Sequence, residues 1–449
     1  MIKKFYYFEK KLLSIASALF MTYITLAAMF SRSFIGIYVF GYRVGEIFIA
    51  LTLIIFLYLI LFNSKNMNLM IHQSNFRILL TLMFFSFVFL TVISDANFDS
   101  SYTYKASTYI WTLSIFFLGA KSKKIFLSLG GVILIEFILL SIFFVSIYEF
   151  PQFLIEFFTE YSDKYEPHKG SDLALFFIVI NLLINDKFDH NRKALNIFIL
   201  NLGFFLPLVL YRSRGAFIGI LIFSFYQLFI FNRNKILIHK MTVPVILLFI
   251  SISTYSTIVS QVKNFPEEIS PEVIANSYSS LGEYRLQHYQ EDYPFLYIES
   301  GRIYSGDGNL NWRLDMWQDQ IDYMSKENII LFGSGYKDKL YVFQINNTGY
   351  GNDRTGLDDI NENIHNYFLQ IFSRGGVIQL ILFIFLFIKI NKVYFKSSSR
   401  YDILTFLLPL LWVSLFDSSM ENAHFPIVFY FILGNYYFSN KTFNTSQEE

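Results

Sequence analysis

The sequence predicts an all-α polytopic membrane protein with about twelve transmembrane helices and one large extracytoplasmic loop domain. Three observations carry that expectation. The composition is 54% hydrophobic and only 16% charged, where a soluble chain holds roughly a quarter charged residues. The charges fall in clusters separated by apolar runs long enough to cross a hydrocarbon core about 30 Å thick. One long polar block, opening near Ser253 and closing on His365-Asn366, interrupts this pattern.

Taken in order, helices are predicted at 11–30, 44–62, 76–94, 107–120, 125–148, 172–185, 195–211, 215–231, 241–261, 371–390, 402–416 and 425–438. The basic start, with Lys3, Lys4, Lys10 and Lys11, leads into the first span. No small-residue cleavage site follows, so a retained helix is expected there in place of a cleaved signal. Five basic clusters then fall on one side of the alternation: the N-terminal lysines, Lys121/Lys123/Lys124, Lys187/Arg192/Lys193, Arg233/Lys235/Lys240 and Lys389/Lys392/Lys396/Arg400. Cytoplasmic loops carry the excess of Lys and Arg, which puts both termini in the cytoplasm. Segments 95–106, 149–171, the long block and 417–424 then lie outside. The expected organisation is residues 1–252 as helices 1–9 (the ninth starting near 241), 262–365 as the loop domain, and 366–449 as helices 10–12 with a cytoplasmic tail.

Composition also excludes. There is no cysteine, hence no disulfide framework, thiol nucleophile or zinc finger. Residues 261–365 hold 17 Asp plus Glu against 8 Lys plus Arg, the wrong sign of surface for nucleic acid. No Gly-x-x-x-x-Gly-Lys phosphate loop and no His-Glu-x-x-His occurs, and the histidines do not cluster with carboxylates at metal-ligand spacing, so no cofactor and no metal are expected.

Within the block, Leu314, Trp317, Ile321 and Met324 recur at three- and four-residue spacing, predicting an amphipathic helix over 311–327 with Asn309 or Asn311 as its cap. Gly333 and Gly335 punctuate the return to the membrane.

Three places carry residue types suited to chemistry. Tyr211-Arg212-Ser213-Arg214-Gly215-Ala216 puts two arginines at an outer hinge between spans, against the positive-inside bias. They would either pair with phosphate oxygens in a fork geometry or snorkel to headgroups, and Gly215 would permit close approach of backbone or ligand. Arg313, near Asp315 and Trp317, is either a ligand contact or part of a solvated helix face. His365, with Asn366 at the re-entry to the membrane, suits a general base for a hydroxyl, or simply a hydrogen-bonding role. Arg374-Gly375-Gly376 would return a further positive charge to the same surface.

Together these residues resemble the O-antigen ligase and O-antigen polymerase family of bacterial envelope glycosyltransferases. The resemblance is carried by Ser213-Arg214-Gly215-Ala216 after an apolar span, Arg313 followed by Trp317, the Phe332-Gly333-Ser334-Gly335 turn, and His365-Asn366 with Gly376 beyond, and it covers about 200–380. The chain departs from the family pattern at Gln379, where a second glycine is common. The resemblance implies a GT-C-like membrane fold in the bacterial inner membrane, with the large loop periplasmic. It implies a donor glycan linked through pyrophosphate to undecaprenol, and an acceptor that is lipid A core for a ligase or a lipid-linked repeat unit for a polymerase. A polymerase would also have a chain-length regulator as partner. Carried over by residue, Arg214 and Arg313 hold the donor pyrophosphate with Arg212 as a third contact, and His365 activates the acceptor hydroxyl without a metal. The competing class is a lipid-linked sugar flippase or another polytopic transporter, which predicts charged groups near the bilayer midplane. This chain has few: Glu136 in the fifth span and Glu46 near the start of the second are the main ones, and each is equally open to a paired or interfacial role.

Overall fold

The computed structural model describes residues 19, 22–62, 74–97, 101–117, 119, 132–166, 168–233, 242–262, 294–344, 362–398, 402–421 and 423–439. The predicted first helix before residue 19, the lysine clusters at 3–11 and 121–124, and the start of the predicted 125–148 helix lie outside them.

The described chain is mostly helical. Helix α1 (22–35) is followed by α2 (Val44–Phe62), α3 (Ser74–Ile93), α4 (Val132–Tyr148), α5 (Gln152–Tyr161), α6 (Gly170–Phe188), α7 (Arg192–Arg212), α8 (Arg214–Arg233) and α9 (Thr242–Val262). After the polar block come α11 (Tyr367–Ser398), α12 (Asp402–Ser414) and α13 (His424–Ser439), with α10 (Gly308–Lys326) inside that block. Among the described residues, Arg192–Arg212, Arg214–Arg233 and Tyr367–Phe395 are each long and apolar enough to cross a membrane. The pair Glu136–Tyr148 and Gln152–Tyr161, bent by 87°, passes the same test as a broken span or re-entrant loop.

Helix α6 is the axis of the bundle. Nearly every residue from Gly170 to Asn185 is buried, because α4, α7, α8, α12 and α13 pack around it. A helix that is apolar on all sides is stable only when enclosed in this way. Small residues set the closest approaches: a Cβ at Gly219 would meet Val413 at 2.6 Å, and one at Gly170 would meet Ser213 Cβ at 2.4 Å.

Several elements differ from expectation. The predicted helix at 107–120 is found as the apolar helix Thr108–Phe117 with a 3₁₀ turn at Thr112–Ser114 inside it, and a short helix, Ser101–Ala106, precedes it. The segment 149–171, expected as an outer loop, contains the helix α5 (Gln152–Tyr161). The predicted helix at 371–390 belongs to the longer α11, which breaks at Gly376 (φ 65°, ψ −171°). Glu46 is not a midplane charge: it accepts from the Arg43 amide at 3.0 Å and pairs with the Arg43 guanidinium at the start of α2. Glu136 accepts from the Asn201 side chain at 3.0 Å.

In the loop domain, the cap of α10 is Asp307, whose side chain accepts from Leu310 N, not Asn309 or Asn311. Asn311 instead accepts from Ser305 N. The buried stripe of α10 runs through Met316, Gln320 and Met324, while Ile321 is exposed. The apolar spacing misplaced the face because the segment 329–343 crosses the helix and buries Gln320, which reaches Ser334 Oγ. A second core of Met316, Leu340, Val342, Phe343 and Ile364 joins α10 to the chain re-entering the membrane. A hairpin of β1 (Tyr297–Glu299) and β2 (Arg302–Tyr304) is clamped on α10 by Arg302, which pairs with Asp315 at 3.0 Å and Asp319 at 2.7 Å.

Candidate active site

The two glycine motifs form one structural joint. Ser334 N donates to Ser373 O at 2.8 Å and Gly335 N to Arg374 O at 3.0 Å, while Val377 N returns a bond to Ile330 O at 2.9 Å. The break in α11 frees backbone groups that the turn after α10 satisfies. Both chains need glycine there: a Cβ on Gly376 would lie 2.1 Å from Leu331 O, and one on Gly333 would lie 2.5 Å from Arg374 O. Gln379, the departure from the family pattern, lies one turn further along. It bonds the buried hydroxyls of Tyr109 and Tyr336 at 2.6 and 2.8 Å, which fixes the turn from the membrane side.

Arg374 belongs to this joint and does not add charge to a ligand surface. It is 1% exposed, donates to Gly335 O and Asp338 O, and bonds the Tyr102 hydroxyl. Gly215 likewise packs against Phe416, whose Cβ would lie 3.1 Å from a Cβ there. It is a helix-packing glycine and not a point of ligand approach.

Because the joint anchors α10 over the membrane end of α11, residues distant in sequence converge. Trp317 Nε1 donates to Ile364 O at 2.8 Å, and the Trp312 ring lies 5.4 Å from the His365 ring. His365 adopts a left-handed backbone (φ 57°), a conformation in which His is less disfavoured than most residues. Asn366 has a structural role: its side chain accepts from Leu369 N at 3.0 Å and caps α11. Arg313 lies one residue beyond Trp312, and its Nε has no hydrogen-bond partner among the described residues.

The arginine hinge faces the other end of α10. Ser213 is the single extended residue between α7 and α8, and its hydroxyl accepts from Ala216 N. Arg214 therefore opens α8 and pairs with the α10 cap Asp307 at 3.3 Å. Asp307 also acts electrostatically on Arg313, so the two arginines share one carboxylate. Arg212 is not drawn into this group. It donates to Ser146 O at 2.6 Å, and its electrostatic neighbours include Tyr211, Glu149 and His168.

A fourth segment completes the group, and sequence reasoning missed it. Asp417, in the loop between α12 and α13, acts on Arg313, His365, Lys169 and Glu421. The available signal was two carboxylates four residues apart in a short segment between apolar helices. Burial lowers the His365 pKa to about 4, with Arg313 pushing the same way and Asp417 opposing. Burial also lowers that of Arg313, opposed by Asp417 and Asp307, yet a guanidinium stays charged. Glu421 is pushed up to about 8 by burial and then by Asp417, and neither of its carboxyl oxygens has a hydrogen-bond partner among the described residues.

A raised carboxyl pKa makes a definite prediction. Protonated Glu421 favours the folded state, a contribution fully present below the unfolded value and lost as pH rises from about 4.5 to 8. Glu421→Gln should therefore unfold at a higher temperature than wild type at pH 8.5, and at a similar temperature near pH 4.5. An equal pH response in the two proteins would contradict the burial of this acid.

The fold and site define a class: a helical membrane protein with arginines, a histidine and a carboxylate converging where an inter-helix domain meets the bundle. Residues 199–384 match the O-antigen ligase family model. This stretch, which is similar to the O-antigen ligase family, spans the arginine hinge, α10, His365 and the glycine joint. No curated protein matches the chain.

Proposed function

We propose that this protein moves a glycan from an undecaprenyl-diphosphate-linked donor to an acceptor hydroxyl on the periplasmic face of the bacterial inner membrane. In this reading about twelve helices span the membrane, both termini are cytoplasmic and the loop domain is GT-C-like. The observation that carries it is the convergence of Arg313, His365 and Asp417, with Arg214 joined to Arg313 through Asp307.

The acceptor oxygen attacks the anomeric carbon, the carbon–oxygen bond to phosphate breaks, and lipid pyrophosphate leaves with the electron pair. The acceptor proton passes to His365. Arg214 and Arg313 stabilise the charge that develops on the leaving group, which requires no metal. Asp417 stabilises the imidazolium. Donor binding also strengthens the base: burial, with Arg313 adding to it, holds His365 weakly basic in the free protein, and an anionic pyrophosphate offsets the Arg313 part. The acid limb of kcat/KM, which reports the free enzyme, should therefore lie near pH 4, and the limb of kcat at a higher pH. Coincident limbs would remove this coupling. Arg313→Ala should lower kcat/KM by about 10²–10³-fold, comparable to removing one transition-state donor, with Arg313→Lys recovering only part, because a point charge lacks the fork.

The test uses purified full-length protein in lipid bilayers, undecaprenyl-diphosphate-linked oligosaccharide and two acceptors. Transfer to lipid A core identifies a ligase, and a ladder of lengthened lipid-linked chains a polymerase. Intact, monodisperse protein that transfers to neither acceptor with an authentic donor would overturn the reading.

A further inference from the structure

We infer that Lys169 is a third cation for the donor pyrophosphate, held in reserve on Glu166 until the donor arrives. The inference rests on the reading of the donor as a lipid-linked pyrophosphate.

Charge balance calls for such a group. The positive charges of Arg214 and Arg313 already face Asp307 and Asp417, and Glu421 is held neutral at pH 7. A pyrophosphate diester brings one negative charge on each phosphate into this balanced set. A further cation at the site offsets one of these two charges.

Lys169 is placed for this. It immediately precedes Gly170, whose missing Cβ allows contact with Ser213, the residue before Arg214. Its ammonium acts electrostatically on His365, and Asp417 acts on it in turn. Its backbone is fixed, since Lys169 N donates to Asp172, which is itself held by Ser31 at 2.8 Å and His424 at 2.7 Å. The side chain pairs with Glu166 at 3.1 Å and remains 34% exposed, so a four-carbon stem swings from a rigid base.

Releasing Lys169 strands no charge. Glu166 also pairs with Arg32 at 3.2 Å, and its backbone is held by Ser33. The loss of one lysine contact therefore leaves Glu166 neutralised, whereas an ion deprived of its only partner would pay the full penalty of burial.

The experiment measures donor and acceptor KM for wild type, Lys169→Met, Lys169→Arg and Glu166→Gln in bilayers, with direct binding of undecaprenyl pyrophosphate to each. Lys169→Met is expected to raise donor KM and weaken undecaprenyl pyrophosphate binding by about tenfold, the scale of one charge-assisted bond, and to leave acceptor KM unchanged. Lys169→Arg should stay within threefold of wild type, and Glu166→Gln should bind the pyrophosphate as well as wild type or better. If Lys169→Met binds as wild type does, the lysine assignment falls and the donor reading stands. If wild type itself binds no undecaprenyl pyrophosphate, both fall. Equal losses in Lys169→Met and Glu166→Gln would mark the pair as purely structural and overturn the inference.

Discussion

With His365 replaced by alanine, glycan transfer is expected to fall by about 10²–10⁴-fold, the range for loss of a positioned general base. The protein itself should persist in the membrane. His365 contributes ring contact with Trp312, but the cap of α11 belongs to Asn366 and the anchor of α10 to Trp317. Donor affinity should be retained or improved: losing an imidazole that shares Arg313's field does not remove either guanidinium. Products resolved by gel, with parallel binding of undecaprenyl pyrophosphate, separate the two effects. Undiminished turnover in folded His365→Ala would sink the base assignment. Of the two carboxylates a transport reading would use, Glu46 pairs with Arg43 at the start of α2 and Glu136 accepts from Asn201.

Gly376→Ala is expected to be the most damaging substitution outside the charged group. The backbone at φ 65°, ψ −171° is one that glycine alone adopts readily, and forcing another residue there costs about 1–3 kcal/mol. The new Cβ would in addition lie 2.1 Å from Leu331 O, a clash with backbone that no rotamer relieves. Either α11 straightens and the hydrogen bonds from Ser334, Gly335 and Val377 are lost, or the turn after α10 moves off the bundle. Arg313 and His365 separate in both cases, so activity and thermal stability should fall together. A folded Gly376→Ala protein with a wild-type melting temperature and wild-type transfer would show that the joint does not position the site.

Much of the fold was legible in the sequence because membrane helices are encoded locally. A run such as Arg192–Arg212 or Arg214–Arg233 has no stable alternative in lipid, where every backbone polar group must be bonded within its own segment. The arginine hinge, Arg313 and His365 were legible for a related reason: charges beside apolar spans stand out against their surroundings. What local pattern could not supply was direction and partnership. The apolar spacing of α10 predicted Ile321 inward, and packing by 329–343 rotated the face to Met316, Gln320 and Met324. Arg374 and Gly215 looked like ligand residues and became structural ones, since their neighbours, Tyr102 and Phe416, come from distant parts of the chain. Asp417 and Lys169 gave little signal alone, because their Coulomb interactions run between segments distant in sequence, from Asp417 to His365 and Arg313 and from Lys169 to His365. Helices follow from bonds between near neighbours in sequence; a balance of charges around a site follows only from the tertiary packing that brings it together.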